Sequence, residues 1–182
     1  VNDKPYRRLR LAQRLTKSAI ALSVGLFGLL AGSGNIVDFD SNWQFVQHVL
    51  AMNSMEPWFR SAAMQQRAIT DPGLQRAFYL TIIAGELVFG LLAFLGGALM
   101  LRASVARNAA PMLAGKTCYT LGCLVAVLVW YLGFAVVGGE YFAMWANQWN
   151  GQMKSYAFAG FILLSLVYVS QPEQADPADD RG

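Results

Sequence analysis

The chain has 182 residues, of which 55% are hydrophobic and only 14% charged, with a formal net charge of +3. A soluble domain carries about a quarter charged residues, so this inventory, with a mean hydropathy of +0.37, excludes a well-solvated surface and points to a membrane protein. The bases gather at the ends of apolar runs and not in a patch with polar spacing, which excludes a nucleic-acid footprint and fits membrane orientation signals.

Residues 1–17 form a basic N-terminal stretch, expected in the cytoplasm, with Lys4, Arg7, Arg8, Arg10, Arg14 and Lys17. A first apolar span is expected over about 18–36. Its basic flank and small residues (Ala31-Gly32-Ser33) mimic a signal peptide. The Gly28 and Gly32 pair, four residues apart, suits a retained and closely packed span instead.

Residues 37–76 read as a helical periplasmic segment. Asp40 or Ser41 is expected to cap an amphipathic helix over about 42–52, with Trp43, Val46, Val49 and Leu50 at helical spacing. A second short helix is predicted from Pro57 to Ile69, and Thr70-Asp71-Pro72-Gly73 supplies a cap and a proline start for the next span. Further spans are predicted over about 77–101, 117–138 and 153–170, since a hydrocarbon core about 30 Å thick needs roughly 20 helical residues. The expected fold is therefore all-α: an integral membrane four-helix transmembrane bundle over 18–171, with short amphipathic periplasmic helices. Residues 172–182, acidic and apolar-poor, are expected to be a disordered cytoplasmic tail. The loop between spans two and three carries Arg102, Arg107 and Lys116, whereas the loop between spans three and four has only Lys154. The positive-inside rule then puts both termini in the cytoplasm.

Glu86 departs most from expectation. It lies roughly 13 Å into span two at 1.5 Å per residue, and no Lys, Arg or His falls in the interior of any predicted span to pair with it, Lys154 standing at the very start of the last. An acid at that depth costs about 3 kcal/mol or more and faces the bundle interior. A neutral, hydrogen-bonding carboxyl is expected, with Trp130 and Tyr131 of span three at comparable depth as partners. Its role is either a structural bond between helices or proton relay and ligand recognition.

His48 is the only histidine, and no HxxxH or HExxH pattern accompanies it, so no metal or cofactor is expected. Cys118 and Cys123, five apart on span three, match neither a CxxC pair nor one helical face and read as small apolar filler. No nucleotide loop, Ser-His-Asp order or paired catalytic carboxylates appear, which leaves no catalytic residue to name.

The stretch Gly139 to Gln152, GEYFAMWANQWNGQ, joins spans three and four. Helical spacing puts Tyr141, Trp145, Gln148 and Trp149 on one stripe flanked by Glu140, and Asn150-Gly151 reads as a helix stop. Amphipathic aromatics favour the water–membrane interface. The alternative is a binding surface shared with Trp43, His48 and Trp58. The amides Asn147, Gln148, Asn150 and Gln152 exceed what anchoring needs, so docking of the 42–69 helices or of a partner protein is expected as a second task.

Two stretches together, NWQFVQHVLAMNSM (Asn42 to Met55) and GGEYFAMWANQWNGQ (Gly138 to Gln152), in a four-span layout, resemble the bacterial small integral membrane proteins catalogued as domain of unknown function 2165. The resemblance runs from about Arg8 to Ser170, with Tyr141 where the family carries Trp. It implies a bacterial inner-membrane location and supplies no activity, cofactor or catalytic residue. The function expected from these features is a non-catalytic accessory or assembly subunit, in contact with the lipid bilayer and other membrane subunits. A small transporter or proton-linked channel using Glu86 is the alternative.

Overall fold

Glycines on facing helices decide how the first two long helices meet. In the computed structural model, which describes residues 4–106 and 109–173, α1 (Lys4–Val37) lies against the long helix after it, α4 (Pro72–Ala106). A Cβ on Gly28 would stand 2.5 Å from the Phe89 ring and 2.8 Å from Gly90 Cα, and one on Gly97 would stand 2.7 Å from Leu22 N. Gly25 is covered in the same way by the backbone of Phe94, and Gly90 by that of Leu29. Lipid tails are as apolar as the side chains, so such pairs associate through close van der Waals packing and not through the hydrophobic effect. The Gly28 and Gly32 spacing thus has a physical use, and it belongs to a longer interlock that takes in Gly25, Gly90 and Gly97.

The third long helix begins as α5 (Ala109–Val127) and continues as a π-helix over Leu128–Tyr141. Gly96 packs against it, its Cβ position 2.7 Å from Gly115 O, and Cys118 Sγ donates to Leu92 O at 3.2 Å. Both cysteines are free thiols. The last helix, α6 (Gln152–Ser170), is tied to α5 by the buried pair Tyr119 Oη and Ser165 Oγ at 2.6 Å. It returns to α1, where the Phe27 and Phe158 rings lie 5.1 Å apart. Among the described residues, four helices are therefore long and apolar enough to cross a membrane. They enclose a core of Val24, Phe89, Met100, Tyr119, Cys123 and Ile162.

The helices outrun the predicted spans. α1 takes in most of the basic N-terminal stretch from Lys4 onward, and α4 runs on past Arg102 to Ala106. Charged ends stay helical because a helix needs backbone pairing, not apolar side chains, once outside the hydrocarbon. At this basic end the residues after α6 are held. Glu173 Oε1 lies 2.8 Å from Lys17 Nζ and 2.7 Å from Lys116 Nζ, with Arg14 Nε 3.8 Å from Oε2. Lys17 and Lys116 also donate to Gln171 O. Glu173, which the sequence reading puts in the tail over 172–182, is thus held by three bases, while 174–182 lie outside the described residues.

The opposite, capped end is a second packed layer. α2 spans Phe39–Ala51, three residues earlier than predicted, because Asp38 and not Asp40 or Ser41 accepts from the first turn, at Ser41 N. Met52 ends it in a left-handed conformation, φ 49°. The predicted 57–69 helix reduces to one turn, α3 (Ala62–Gln65), capped by Ser61. Its flanks are bonded elsewhere, Glu56 N donating to Ala146 O at 2.8 Å and Ile69 N to Leu50 O at 2.8 Å. Asp71 caps α4 as expected, accepting from Leu74 N at 2.7 Å. Val49, Leu50, Phe59, Tyr79, Phe142 and Met144 fill the core of this layer.

Candidate functional site

Glu86 is buried, 1% exposed, and its partner comes from the first span: Asn35 Nδ2 donates to Glu86 Oε2 at 2.6 Å. The backbone around Asn35 is fixed by Tyr79, whose hydroxyl donates to Asn35 O at 3.1 Å. The two expected partners do other things. Tyr131 is exposed and pairs with Tyr156, ring centroids 6.4 Å apart. Trp130 does border the same space as Glu86, but its buried Nε1 has no hydrogen-bond partner among the described residues. Depth along a helix sets which residues share a layer, and only helix rotation sets which of them meet.

That space is a cavity of about 380 Å³, in the range of small-ligand sites. Glu86, Asn35 and Tyr79 form its polar inner part, and Asn42, Gln148 and Lys154 also border it. The aromatic wall is continuous: Trp130 lies 4.7 Å from Phe158 and 5.1 Å from Phe134, and Phe45 lies 6.2 Å from Phe134 and 6.4 Å from Trp149. Past Glu86 toward the basic end, the fully buried Phe89 and Ala93 and the glycine interlock fill the bundle.

The 139–152 stretch is not one amphipathic helix. The π-helix ends at Tyr141, Ala143 takes a left-handed conformation at φ 50°, and Met144–Ala146 makes a single 3-10 turn. Gly151, at φ −108°, opens α6; it is not a left-handed stop. The expected stripe therefore breaks up, and its members work separately. Trp149 stacks on His48 at 5.0 Å and 14°. Trp145 stacks on Trp58 at 6.0 Å and 21°, both exposed. Tyr141 receives Arg67 twice, through its carbonyl at 3.1 Å and over its ring at 5.0 Å. Trp43 stays on its own side, stacked with Phe39 at 6.3 Å and under Arg76 at 5.7 Å.

Three of the four surplus amides have side-chain partners, and Gln148 bonds through its backbone N to Ser54 O at 2.9 Å. Asn147 pairs with Met55 as an antiparallel bridge, and its Nδ2 donates to His48 O at 3.2 Å. Asn150 Oδ1 accepts from Gln152 N at 3.0 Å. Gln152 Nε2 reaches Ala135 O at 3.2 Å and Glu140 Oε1 at 2.9 Å, tying the π-helix to α6. His48 completes the set, its Nδ1 2.7 Å from Asn53 Oδ1 and 3.0 Å from Ser54 Oγ. The stretch thus docks the segment that follows the first span.

Helices of this length and hydropathy, with a carboxyl buried between them, define a polytopic integral membrane protein. A family model described as a predicted small integral membrane protein (DUF2165) matches residues 13–172, and the chain belongs to that family. Neither the curated proteins nor the solved structures contain a match.

Proposed function

We propose that this is a small bacterial inner-membrane protein with both termini in the cytoplasm, serving as a non-catalytic accessory or assembly subunit of a larger membrane complex. The observation that carries the reading is the Trp58 and Trp145 pair. Two indoles stacked at 6.0 Å stand 61% and 42% exposed on the cap. Tryptophan dominates binding energy at protein interfaces, and an indole already held against Phe59 loses little freedom on docking. The orientation is supported by the bases at the Lys17, Lys116 and Glu173 end against Lys154 alone in the short connection between the third and fourth long helices. Arg60, Arg67 and Arg76 lie in the longer 37–76 segment, which weighs less in setting orientation.

The test is extraction from native membrane in mild detergent and mass spectrometry of the intact complex. A second protein in fixed stoichiometry is expected, and Trp58→Ala with Trp145→Ala should release it while the chain stays folded. Recovery of a single species, alone or self-associated, sinks the reading.

The second reading, a transporter or proton-linked channel, is favoured by one observation, the cavity that reaches Glu86. The packing of Phe89 and Ala93 beyond it opposes a continuous polar path. Proteoliposome flux that Glu86→Gln leaves unchanged would remove Glu86 from any such role.

A further inference from the structure

The cavity at Glu86 has a neighbour. A groove of about 430 Å³ runs beside it between α4 and the π-helix, bordered by Thr81, Gly85, Val129, Leu132, Gly133 and Val137 among others. Phe45, Val46, Ile82 and Phe134 line both spaces, so the two adjoin. Their chemistry differs sharply. The groove is apolar apart from Thr81, whose hydroxyl is already turned to Ala77 O at 2.8 Å. The cavity holds an acid, amides, an unpartnered indole N–H and, on its exposed rim, Lys154. The groove's outer wall consists of residues such as Leu132 and Leu128, which are about half exposed on the bundle's flank, where acyl chains would lie.

We propose that these two spaces form one site for a phospholipid with a primary-amine headgroup, such as phosphatidylethanolamine, its head in the cavity and one acyl chain in the groove. The ammonium seats against Glu86, within a wall of Trp130, Phe134 and Phe158 whose ring faces also attract a cation. The phosphate lies toward Lys154, the only base among the described residues that border the cavity. Acid inside and base on the rim match the order of charges in that headgroup, amine outermost along the headgroup and phosphate next to the glycerol. An anionic headgroup without an amine offers Glu86 no cation to offset the cost of ionising a buried acid. A water-soluble ligand would leave the groove without a use.

The site is tested by native mass spectrometry of the full chain in detergent, titrated with lipids of identical chains. Phosphatidylethanolamine should bind one per chain, about tenfold or more tighter than phosphatidylglycerol. Its N-acetylated form, which lacks the ammonium, should bind only as well as phosphatidylglycerol; this comparison uses the unaltered protein and survives if Glu86→Gln does not fold. Where it folds, Glu86→Gln should erase the preference and leave phosphatidylglycerol unchanged. Gly133→Leu adds bulk where the Cβ itself is tolerated, its nearest neighbour Leu128 O standing at 3.4 Å, and should weaken all these lipids together. Equal binding of the amine lipid and its N-acetylated form overturns the headgroup assignment. Binding untouched by Gly133→Leu, or matched by water-soluble O-phosphoethanolamine, overturns the groove as the chain's seat.

Discussion

Asn35 and Glu86 are joined across the first two long helices by a hydrogen bond of 2.6 Å, near the end of one helix and in the middle of the other. The bond gives a buried carboxyl a donor that no charged side chain supplies. Asn35→Leu removes that donor without removing the acid. A buried polar group left unsatisfied costs about 1–3 kcal/mol, so the variant should unfold at lower temperature in detergent, followed by tryptophan fluorescence. Double replacement, Asn35→Leu with Glu86→Leu, should recover much of the loss, because neither polar group then remains. Equal stability of Asn35→Leu and the unaltered protein would show that the bond does not hold the helices.

The glycine interlock makes a sharper prediction. Gly97→Val puts a branched side chain where a Cβ alone would be 2.7 Å from Leu22 N. Overpacking of this kind costs about 3 kcal/mol or more when backbone and not a flexible side chain must yield. Gly160 on α6 is the control, since nothing lies within 4 Å of its Cβ position. Gly160→Ala should be neutral or gain up to about 1 kcal/mol from helix propensity. Thermal unfolding of the two variants side by side checks both.

The basic end should respond to acid. Burial pushes the Glu173 carboxyl up, but hydrogen bonds and charge from Lys116 and Lys17 outweigh it and hold the group below its ordinary value of 4.5. The folded form thus favours the ionised acid. Its contribution is complete above 4.5 and is lost as pH falls through the lower, folded value. The difference in stability between the unaltered protein and Glu173→Gln should therefore be constant near neutral pH and shrink toward zero in acid. For a partly solvated cluster that difference is about 1 kcal/mol or less. A difference that grows on acidification would reverse the assignment.

What the sequence made legible follows from the range of the forces involved. The spans could be read because solvation by hydrocarbon acts on each residue separately, whatever its neighbours. The cap at Asp71 could be read because its partner, Leu74, is three residues away. The Asn35 partner of Glu86 could not, since axial rise fixes depth and says nothing of helix rotation, and Asn35 falls near the end of the first span where a polar residue raises no question. The shrunken α3 has the same origin: Glu56 and Ile69 find tertiary partners in Ala146 and Leu50, and local propensity yields to them. For the 139–152 stretch the docking task was visible in the excess of amides, while its geometry was hidden. Nothing local announces the left-handed Ala143 or the pairing of Asn147 with residues more than ninety positions earlier.

That pairing carries the last prediction. Asn147 is 2% exposed and acts on both sides of the cap, donating to His48 O at 3.2 Å and accepting from Trp149 N at 2.9 Å. The neighbouring backbone bonds, Glu56 N to Ala146 O and Gln148 N to Ser54 O, run alongside it. Asn147→Ala leaves a carbonyl and an amide N–H without these partners at once. The loss should be about 2 kcal/mol, and it should be local, because the glycine interlock and the Tyr119–Ser165 bond between the spans are untouched. Hydrogen exchange is therefore expected to rise across residues 48–58 and 142–150 while the cores of α1 and α4 keep their protection. Exchange that rises throughout the chain would mean that the cap and the spans unfold as one unit. In that case the docking of 139–152 holds the whole bundle together, beyond the segment it touches.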